Sequence, residues 1–452
     1  MKEKNVMQVS KTIIPRTFAK LKKSAFFKNI LVVMTGTIIG QVISFSLSPI
    51  ISRLFTPDDF GIFGSFSAIL GLFSAGVTLG YSQAIMLPKD KLNAMNLFVL
   101  SCLCTFMVSF ICLMFCLIAP NILKSEIKSD GVIILVLLVL ATLVSGINQS
   151  CQAWSVRVKA FKHTSASQVI RSTTSSGTKV GLGLLKVGAL GLIVSNVLAN
   201  ILASLNLVRV LLPDLLSLRR SIQWDLIKRL AKDYRDFPMY SASQAVINAL
   251  SMGFPILILT HFFGTNISGA YTFAITIISL PMGFILTALR QVLYQKASEI
   301  QHQNRSLASL YVKITAGLFA VTLLPTLILV IWAPQIFAWI FGSQWSMAGE
   351  FARSLIIWFA IGFCNLPAHL YAKIIRIQRF IFFYDIALLG VRSVVLLIGG
   401  LYLTALQTVL LFSLVGAGMN IFLIFRVGNK VMRNEGSVTW SSVREALVKK
   451  QI

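Results

Sequence analysis

The 452 residues include only 15 Asp and Glu against 41 Lys and Arg, a formal net charge of +26. Enzymes that work on sugars or phosphates by acid–base chemistry need positioned carboxylates or histidines. Short loops this poor in acids argue against an integral-membrane glycosyltransferase or polymerase. The four histidines, His163, His261, His302 and His369, are scattered along the chain, so no catalytic His pair is predicted. The phosphate-cradling pattern G-x-x-x-x-G-K-[S/T] is absent, which excludes the usual nucleotide motor. Cysteine is sparse too. Cys102, Cys104, Cys112, Cys116, Cys151 and Cys364 fall in or beside apolar runs and read as small buried hydrophobes without disulfides. Cys112 and Cys116 share a helical face but have no His or carboxylate near them in sequence, so neither a metal nor a cofactor is expected.

What the sequence has in abundance is oil: 56% hydrophobic and 12% charged residues, with a mean hydropathy of +0.80. This composition predicts an all-α polytopic membrane protein. A spanning helix takes ~20 mostly apolar residues, and the pattern yields about twelve by that rule. They lie near 30–52, 62–86, 95–119, 131–152, 165–185, 189–211, 238–262, 268–290, 310–332, 351–373, 380–401 and 404–426. The expected organisation is a basic N-terminal arm (1–29), a first lobe (30–212), a connector (213–237), a second lobe (238–426) and a tail (427–452). The arm carries no short apolar core with a small-residue cleavage site, so no cleaved signal is expected.

The surplus of positive charge has a topological reading rather than a nucleic-acid one. Lys20, Lys22, Lys23 and Lys28, then Lys89 and Lys91, then Arg157, Lys159 and Lys162 crowd alternate loops, as do Arg219, Arg220, Lys228, Arg229, Lys232 and Arg235. The intervening loops hold few. The positive-inside rule therefore places both termini in the cytoplasm. In the connector, Ile222, Leu226, Ile227 and Leu230 recur at helical spacing between Lys and Arg, which predicts an amphipathic helix on the cytoplasmic leaflet.

One predicted span is polar. Thr164 to Lys186, TSASQVIRSTTSSGTKVGLGLLK, carries Arg171 and Lys179 within a run of Ser and Thr. A cation at the bilayer centre costs at least ~2.5–3.5 kcal/mol, so such residues face a bundle interior or a watery cavity. Eight residues place the two cations ~80° apart on the helix, about two turns along it, where both can line one cavity. Asn196, Asn200, Ser204 and Asn206 follow in the sixth span at near-helical spacing. They suit either sugar hydroxyls or interhelical hydrogen bonds. Gly36 and Gly40 have the small-xxx-small spacing of close helix packing, and Asp58 and Asp59 read as a cap for the second span.

Further on, Arg392 lies within the eleventh span and Arg290 at the inner end of the eighth, while Asp385 is the one clear carboxylate inside a span. Asp385 is seven residues before Arg392, on the same helical face, placed to orient it. Surplus cations inside the bundle suit phosphate or a carboxylated sugar. A proton- or sodium-coupled exporter of cationic drugs would need more buried acids.

The lobes repeat. SPIISRLFTPDDFGIFGSFSAI from Ser48 matches FPILILTHFFGTNISGAYTFAI from Phe254, pairing Pro49 with Pro255 and, after two extra residues, Gly61 with Gly269. At an offset of 217, Asn148, Trp154, Lys159, Lys162 and Gly183 fall on Asn365, Tyr371, Arg376, Arg379 and Gly400. Six spans per copy is an even number, so the copies form a parallel repeat about an axis along the membrane normal, with the substrate site expected at their interface. Pro255, Pro281, Pro325 and Pro367 are expected to bend helices of the second lobe.

GTIIGQVISFSLSPIISRLFTPDDFGIFGSFSAILGLFSAGVTLGYSQAIMLPKDKLNAMNL, with its TPDDFG turn and IMLPKD segment, resembles the opening of the Wzx-type O-antigen and polysaccharide flippases. This is the polysaccharide transport family of the multidrug/oligosaccharidyl-lipid/polysaccharide (MOP) exporter superfamily. SQVIRS, GLIVSNVLANI and RQVLYQKAS also look like family segments. The resemblance implies two six-helix lobes in the bacterial inner membrane. It further implies transport of an undecaprenyl-pyrophosphate-linked oligosaccharide to the periplasmic leaflet, with membrane lipids and a polysaccharide polymerase complex as candidate partners. Lipid II flippases of the superfamily have two additional helices that are not found here; they and cation-coupled multidrug exporters are the alternatives. Arg171, Lys179, Arg392, Arg290, Asn196 and Asn200 are the expected substrate contacts, by charge and position, with Asp385 as charge partner or ion coupler.

Overall fold

The computed structural model describes residues 25–118, 131–302, 307–374 and 377–448. The first lobe holds α1 (Ala25–Leu54), α2 (Pro57–Gly76), α3 (Lys91–Ile118), α4 (Gly131–Arg157), α5 (Phe161–Leu184) and α6 (Ala189–Leu218). A short α7 (Trp224–Asp233) leads to the second lobe. That lobe holds α8 (Ser243–His302), α9 (Leu307–Phe341), α10 (Ser346–Cys364), its continuation α11 (Leu366–Ile374), α12 (Gln378–Tyr402) and α13 (Ala405–Val448). Ten helices among the described residues are long and apolar enough to cross a membrane. Two more crossings complete twelve. Helix α5 is too polar to be recognised by composition, and α8 is two legs joined at Gly264, whose φ of 84° and ψ of 173° break the helix. Glycine adopts positive φ readily, whereas the backbone stays helical at Pro255 and Pro281. The break in α8 falls at Gly264, between its two crossings.

The repeat is visible in the contacts. A Cβ on Gly61 would collide with the Thr265 carbonyl, and one on Gly269 with the Pro57 carbonyl. Since Gly269 is the mate of Gly61, Thr265 is by the same shift the mate of Pro57, and the two contacts are one contact seen twice. Reciprocal pairing of this kind is the signature of a twofold interface. Gly64 meets Thr272, its own mate, close to the axis. The offset-217 pairs agree: Gly183 packs on Leu54 and Phe55 at the end of α1, and Gly400 on Phe262 at the end of the first α8 leg.

These contacts gather at the end of the bundle away from α7. There Thr56 caps α2 in a reciprocal box with Asp59. Asp58, expected to cap as well, instead accepts hydrogen bonds from Thr265 (2.6 Å) and Asn266 (3.4 Å) of the other lobe. The Ser52 carbonyl accepts from Gln344 at 2.7 Å and from the Trp345 indole at 2.8 Å. Phe60 meets Phe273 and Trp345 edge-on. Polar and aromatic contacts thus fasten the lobes together at this end.

Helix α7 is amphipathic as expected, but protein rather than lipid covers its apolar face. Ile227 and Leu230 are buried against the first lobe, the Tyr81 hydroxyl donates to the Ala231 carbonyl, and Asn96 brackets the approach through Ser221 and Gln223. Two more segments extend past their expected bounds: α6 continues beyond Pro213 to Leu218, and α13 runs through Val448.

Candidate functional site

The second lobe contains a cavity of about 370 Å³ in the half of the bundle nearer α7, walled by both legs of α8 and by α10 to α13. Its polar edge is a connected set of side chains. Asn365 donates to Asn420 at 2.8 Å, and the Tyr384 hydroxyl donates to the same Asn420 oxygen at 3.3 Å. Asn248, Ser251 and His369 complete that edge.

Arg392 borders this cavity and is only 3% exposed. Its guanidinium lies 4.1 Å from the Trp358 ring centroid and 4.7 Å from that of Phe412. Cation–π contact of this kind contributes ~2 kcal/mol when desolvated, and the flat guanidinium suits it better than an ammonium would. The ring faces do not satisfy its N–H groups: Nε and Nη2 have no hydrogen-bond partner. Gly416 makes the room, since a Cβ there would collide with Nη2. Among the described residues the ion pairs are Lys91–Asp214 and Arg353–Glu350, neither of which involves Arg392. A buried guanidinium with free donors and no ion-pair partner has the chemistry to donate to an anion.

Asp385 lines the same cavity, but the expected pairing with Arg392 is not formed. Its carboxylate lies beside Gln244 at the start of α8. Seven residues put the two side chains on one face, yet two turns also separate them by ~10 Å along the axis, beyond the reach of a direct ion pair.

The first-lobe candidates are dispersed. Helix α5 packs against α1 through Gly36 on Ser165 and Gly40 on Ser172, the close approach expected of those glycines. Arg171 borders a gap of about 10 Å³ shared with Asn148, Gln152 and Gln168. The Lys179 ammonium sits 5.2 Å from the Phe63 ring centroid on α2. Asn200 donates to the Asn196 carbonyl and side-chain oxygen, within α6 itself. Ser204 and Asn206 take the interhelical alternative, Ser204 accepting from Asn148 and Asn206 donating to Ser167. The Arg290 side chain lies outside the described residues, as do those of Arg376 and Arg379. Among the described residues no group of three His, Cys, Asp or Glu could hold a metal ion.

Sequence reasoning reached Arg392 and Asp385 because charges stand out in an apolar span. It missed Trp358, Phe412, Tyr384, Asn420 and Gly416, which look like ordinary membrane-helix residues; Asn365 was singled out only as the mate of Asn148.

Several solved structures share this fold. An inward-facing multidrug resistance MATE family transporter of the MOP superfamily superposes with a TM-score of 0.69 at 17% identity, covering 91% of this chain and 96% of that one. The lipid II flippase MurJ in an inward closed conformation gives 0.67 at 11% identity, with 90% of each chain covered. A MOP superfamily transporter from Pyrococcus furiosus gives 0.57 at 16% identity, covering 91% and 96%. The comparison with curated proteins returns no match. A family profile described as polysaccharide biosynthesis protein matches residues 50–350, well over half of the sequence. On that match, the chain belongs to the polysaccharide biosynthesis protein family, and its fold is similar to that of these transporters.

Proposed function

We propose that this protein is a flippase that carries an undecaprenyl-pyrophosphate-linked oligosaccharide from the cytoplasmic to the periplasmic leaflet by alternating access. The observation that carries the reading is Arg392: buried, held between two aromatic rings, with unpaired donors at a polar cavity. A pyrophosphate supplies the acceptors this group lacks, and the amides and hydroxyl around it suit sugar hydroxyls. Arg171 and Lys179 add positive charge from the facing lobe, with Asn196 and Asn200 as further sugar contacts. The basic loops orient both termini to the cytoplasm. On that orientation the fastened end is periplasmic, and the cavity lies in the cytoplasmic half, where cargo is loaded. Rocking of the lobes about the α2–α8 contact would then expose it to the other side. The lipid II flippase named among the structural neighbours is consistent with a lipid-linked cargo.

The test is genetic and chemical together. Deleting the gene should abolish surface polysaccharide and cause lipid-linked repeat units to accumulate on the cytoplasmic face. Unchanged glycan with heightened sensitivity to cationic drugs would overturn the reading in favour of a drug exporter.

A further inference from the structure

At the α7 end the two copies of the repeat are not covered alike. In the second lobe a groove of about 540 Å³ runs between α9 and α13, backed by Ile361 and Cys364 of α10. It stands open: Val312 and Phe425 on its walls are 52% and 68% exposed. At the offset of 217, its Val312, Thr315, Ile424 and Gly428 are the mates of Met95, Phe98, Leu207 and Leu211. Those four are buried in the first lobe. They form one cluster with Ile227 and Leu230 of α7, so the groove is the second copy of the seat on which α7 lies.

A second copy of α7 is present in the sequence as well. SIQWDLIKRLA from Ser221 matches SVTWSSVREAL from Ser437 without a gap, pairing Ile222 with Val438, Trp224 with Trp440, Ile227 with Val443 and Lys228 with Arg444. Leu230 falls on Ala446, and Leu447 extends that face. The offset here is 216, so the turn leading into the tail is one residue shorter than its mate. Helix α6 ends at Leu218 and is followed by the single turn Arg219–Ser221; at this offset the corresponding stretch is Asn434, Glu435, Gly436 and Ser437. In the structure α13 continues through Val448, yet Asn434 and Gly436 are poor helix formers, placed where the first copy breaks. The partner group has a counterpart too. Asn96, which donates to the Ser221 carbonyl, has Lys313 as its mate, and an ammonium there can donate to the Ser437 carbonyl in the same way.

We infer that the tail segment 437–448 breaks from α13 at Gly436, folds back and docks in the groove between α9 and α13 as a second α7. Lipid tails are as apolar as leucine and compete for the same groove. The tail has the advantage of its tether, since it begins only a few residues past Met432 of the groove wall, which gives it a high effective concentration there. Its polar face, with Arg444 and Glu445, is left for water and headgroups. The groove lies on the opposite faces of α10 and α13 from the Arg392 cavity, which Trp358, Gly362 and Asn420 of the same helices line. A docked tail therefore backs the cavity's wall from outside. None of this depends on the identity of the cargo.

The test places the photo-crosslinker p-benzoylphenylalanine at Val443 of the full chain, with one copy in each nanodisc of phosphatidylethanolamine and phosphatidylglycerol. Light should join it to the 312–319 and 421–432 segments, read by mass spectrometry of the digested protein. The same group at Glu445, on the far face of the tail helix, should not reach them. Ala316→Trp, which fills the groove, should remove the links, and so should Ala446→Asp, which puts a charge on the docking face without touching the bundle. Gly436→Ala, which favours an unbroken α13, should lower their yield about fivefold, the equivalent of ~1 kcal/mol of helix propensity. Adducts with lipid in place of the two segments would give the groove to the bilayer and overturn the inference. Links to the first lobe would overturn it too, as would equal yields from Val443 and Glu445, the mark of a tail that only brushes the surface.

Discussion

Asn148 and Asn365 occupy matching places in the two lobes, and what surrounds each separates the lobes' tasks. Asn148 donates to Ser204 and borders a gap of about 10 Å³, too small for more than a water. Asn365 donates to Asn420, one residue from the position that matches Ser204, and borders the 370 Å³ cavity. The same bridge to the lobe's sixth helix closes the bundle in one copy and borders an open cavity in the other. Trp154 and Tyr371 extend the contrast. Both are fully buried, but Trp154 donates to Asp214, which also pairs with Lys91 and ties the first lobe to the segment that docks α7. The first copy is therefore closely braced here, and the second keeps the space beside a buried Arg392.

The largest effect that would break this comparison is at Arg392. Arg392→Ala should lower export by about ten- to a hundredfold, since hydrogen bonds to a charged group contribute ~1.5–3 kcal/mol. Arg392→Lys should recover only part of it, because an ammonium keeps the charge but not the planar donors. Lys179→Ala and Arg171→Ala should each cost less. Export in a deletion strain, normalised to the amount of protein in the membrane, checks all four. Equal losses at Lys179 and Arg392 would return the site to the lobe interface.

Gly416→Ala comes next. Its methyl would fall where Nη2 lies, and the guanidinium must leave the aromatic pair to make room. Export should fall about tenfold, as for loss of ~1.4 kcal/mol of binding, with the protein still inserted. Gly64→Ala would be a poor control, being crowded against Thr272, whereas Gly418 has open space around it and should tolerate Ala. Normal export by Gly416→Ala would show that Arg392 need not stand where it does.

The fastened end offers a smaller and symmetric test. Asp58→Ala removes acceptors for Thr265 and Asn266, and at ~1 kcal/mol for a hydrogen bond should open that end about fivefold more often. Distances between spin labels at Arg53 and His261 would report it. Gly61→Ala and Gly269→Ala should shift the same distances by similar amounts, because they stand in the same contact on opposite sides of the axis. Unequal shifts would show that the repeat is a matter of sequence and not of movement.

Much of this architecture is legible in the sequence, for reasons that also mark where legibility stops. Twelve crossings, two copies and a polar α5 follow from hydropathy and spacing, because the bilayer penalises every exception. The α1–α5 contact was legible in Gly36 and Gly40. The covering of α7 was not, since a lipid leaflet and the surface of another helix offer an apolar face the same surroundings. The cavity was half legible: Arg392 stands out as a charge in oil, while Trp358, Phe412 and Gly416 are residues that any membrane helix uses. Asp385 showed the limit of spacing arguments, which fix a shared face but not a bond.

The smallest expected effect concerns energy supply, where Asp385 in the second lobe's cavity is the guide. On the flippase reading proposed above, the candidate driving forces are the membrane potential, an ion gradient, or removal of product outside. Moving one charge through 100 mV is worth ~2.3 kcal/mol, so carrying roughly two pyrophosphate charges outward against an inside-negative potential releases on the order of 5 kcal/mol. On the same reading, the unloaded cationic cavity, facing outward, would be drawn back inward by the same field. Potential-driven flipping therefore needs no carboxylate, and Asp385→Asn, which keeps the side chain's size, should leave export within about twofold of wild type, a change worth under 1 kcal/mol. In reconstituted vesicles, collapsing the potential while keeping a proton or sodium gradient should stop net movement of the headgroup across the bilayer. If transport instead follows the ion gradient at zero potential and disappears in Asp385→Asn, the cavity is an antiporter's. The contrast between the lobes would then rest on Asp385 as much as on Arg392.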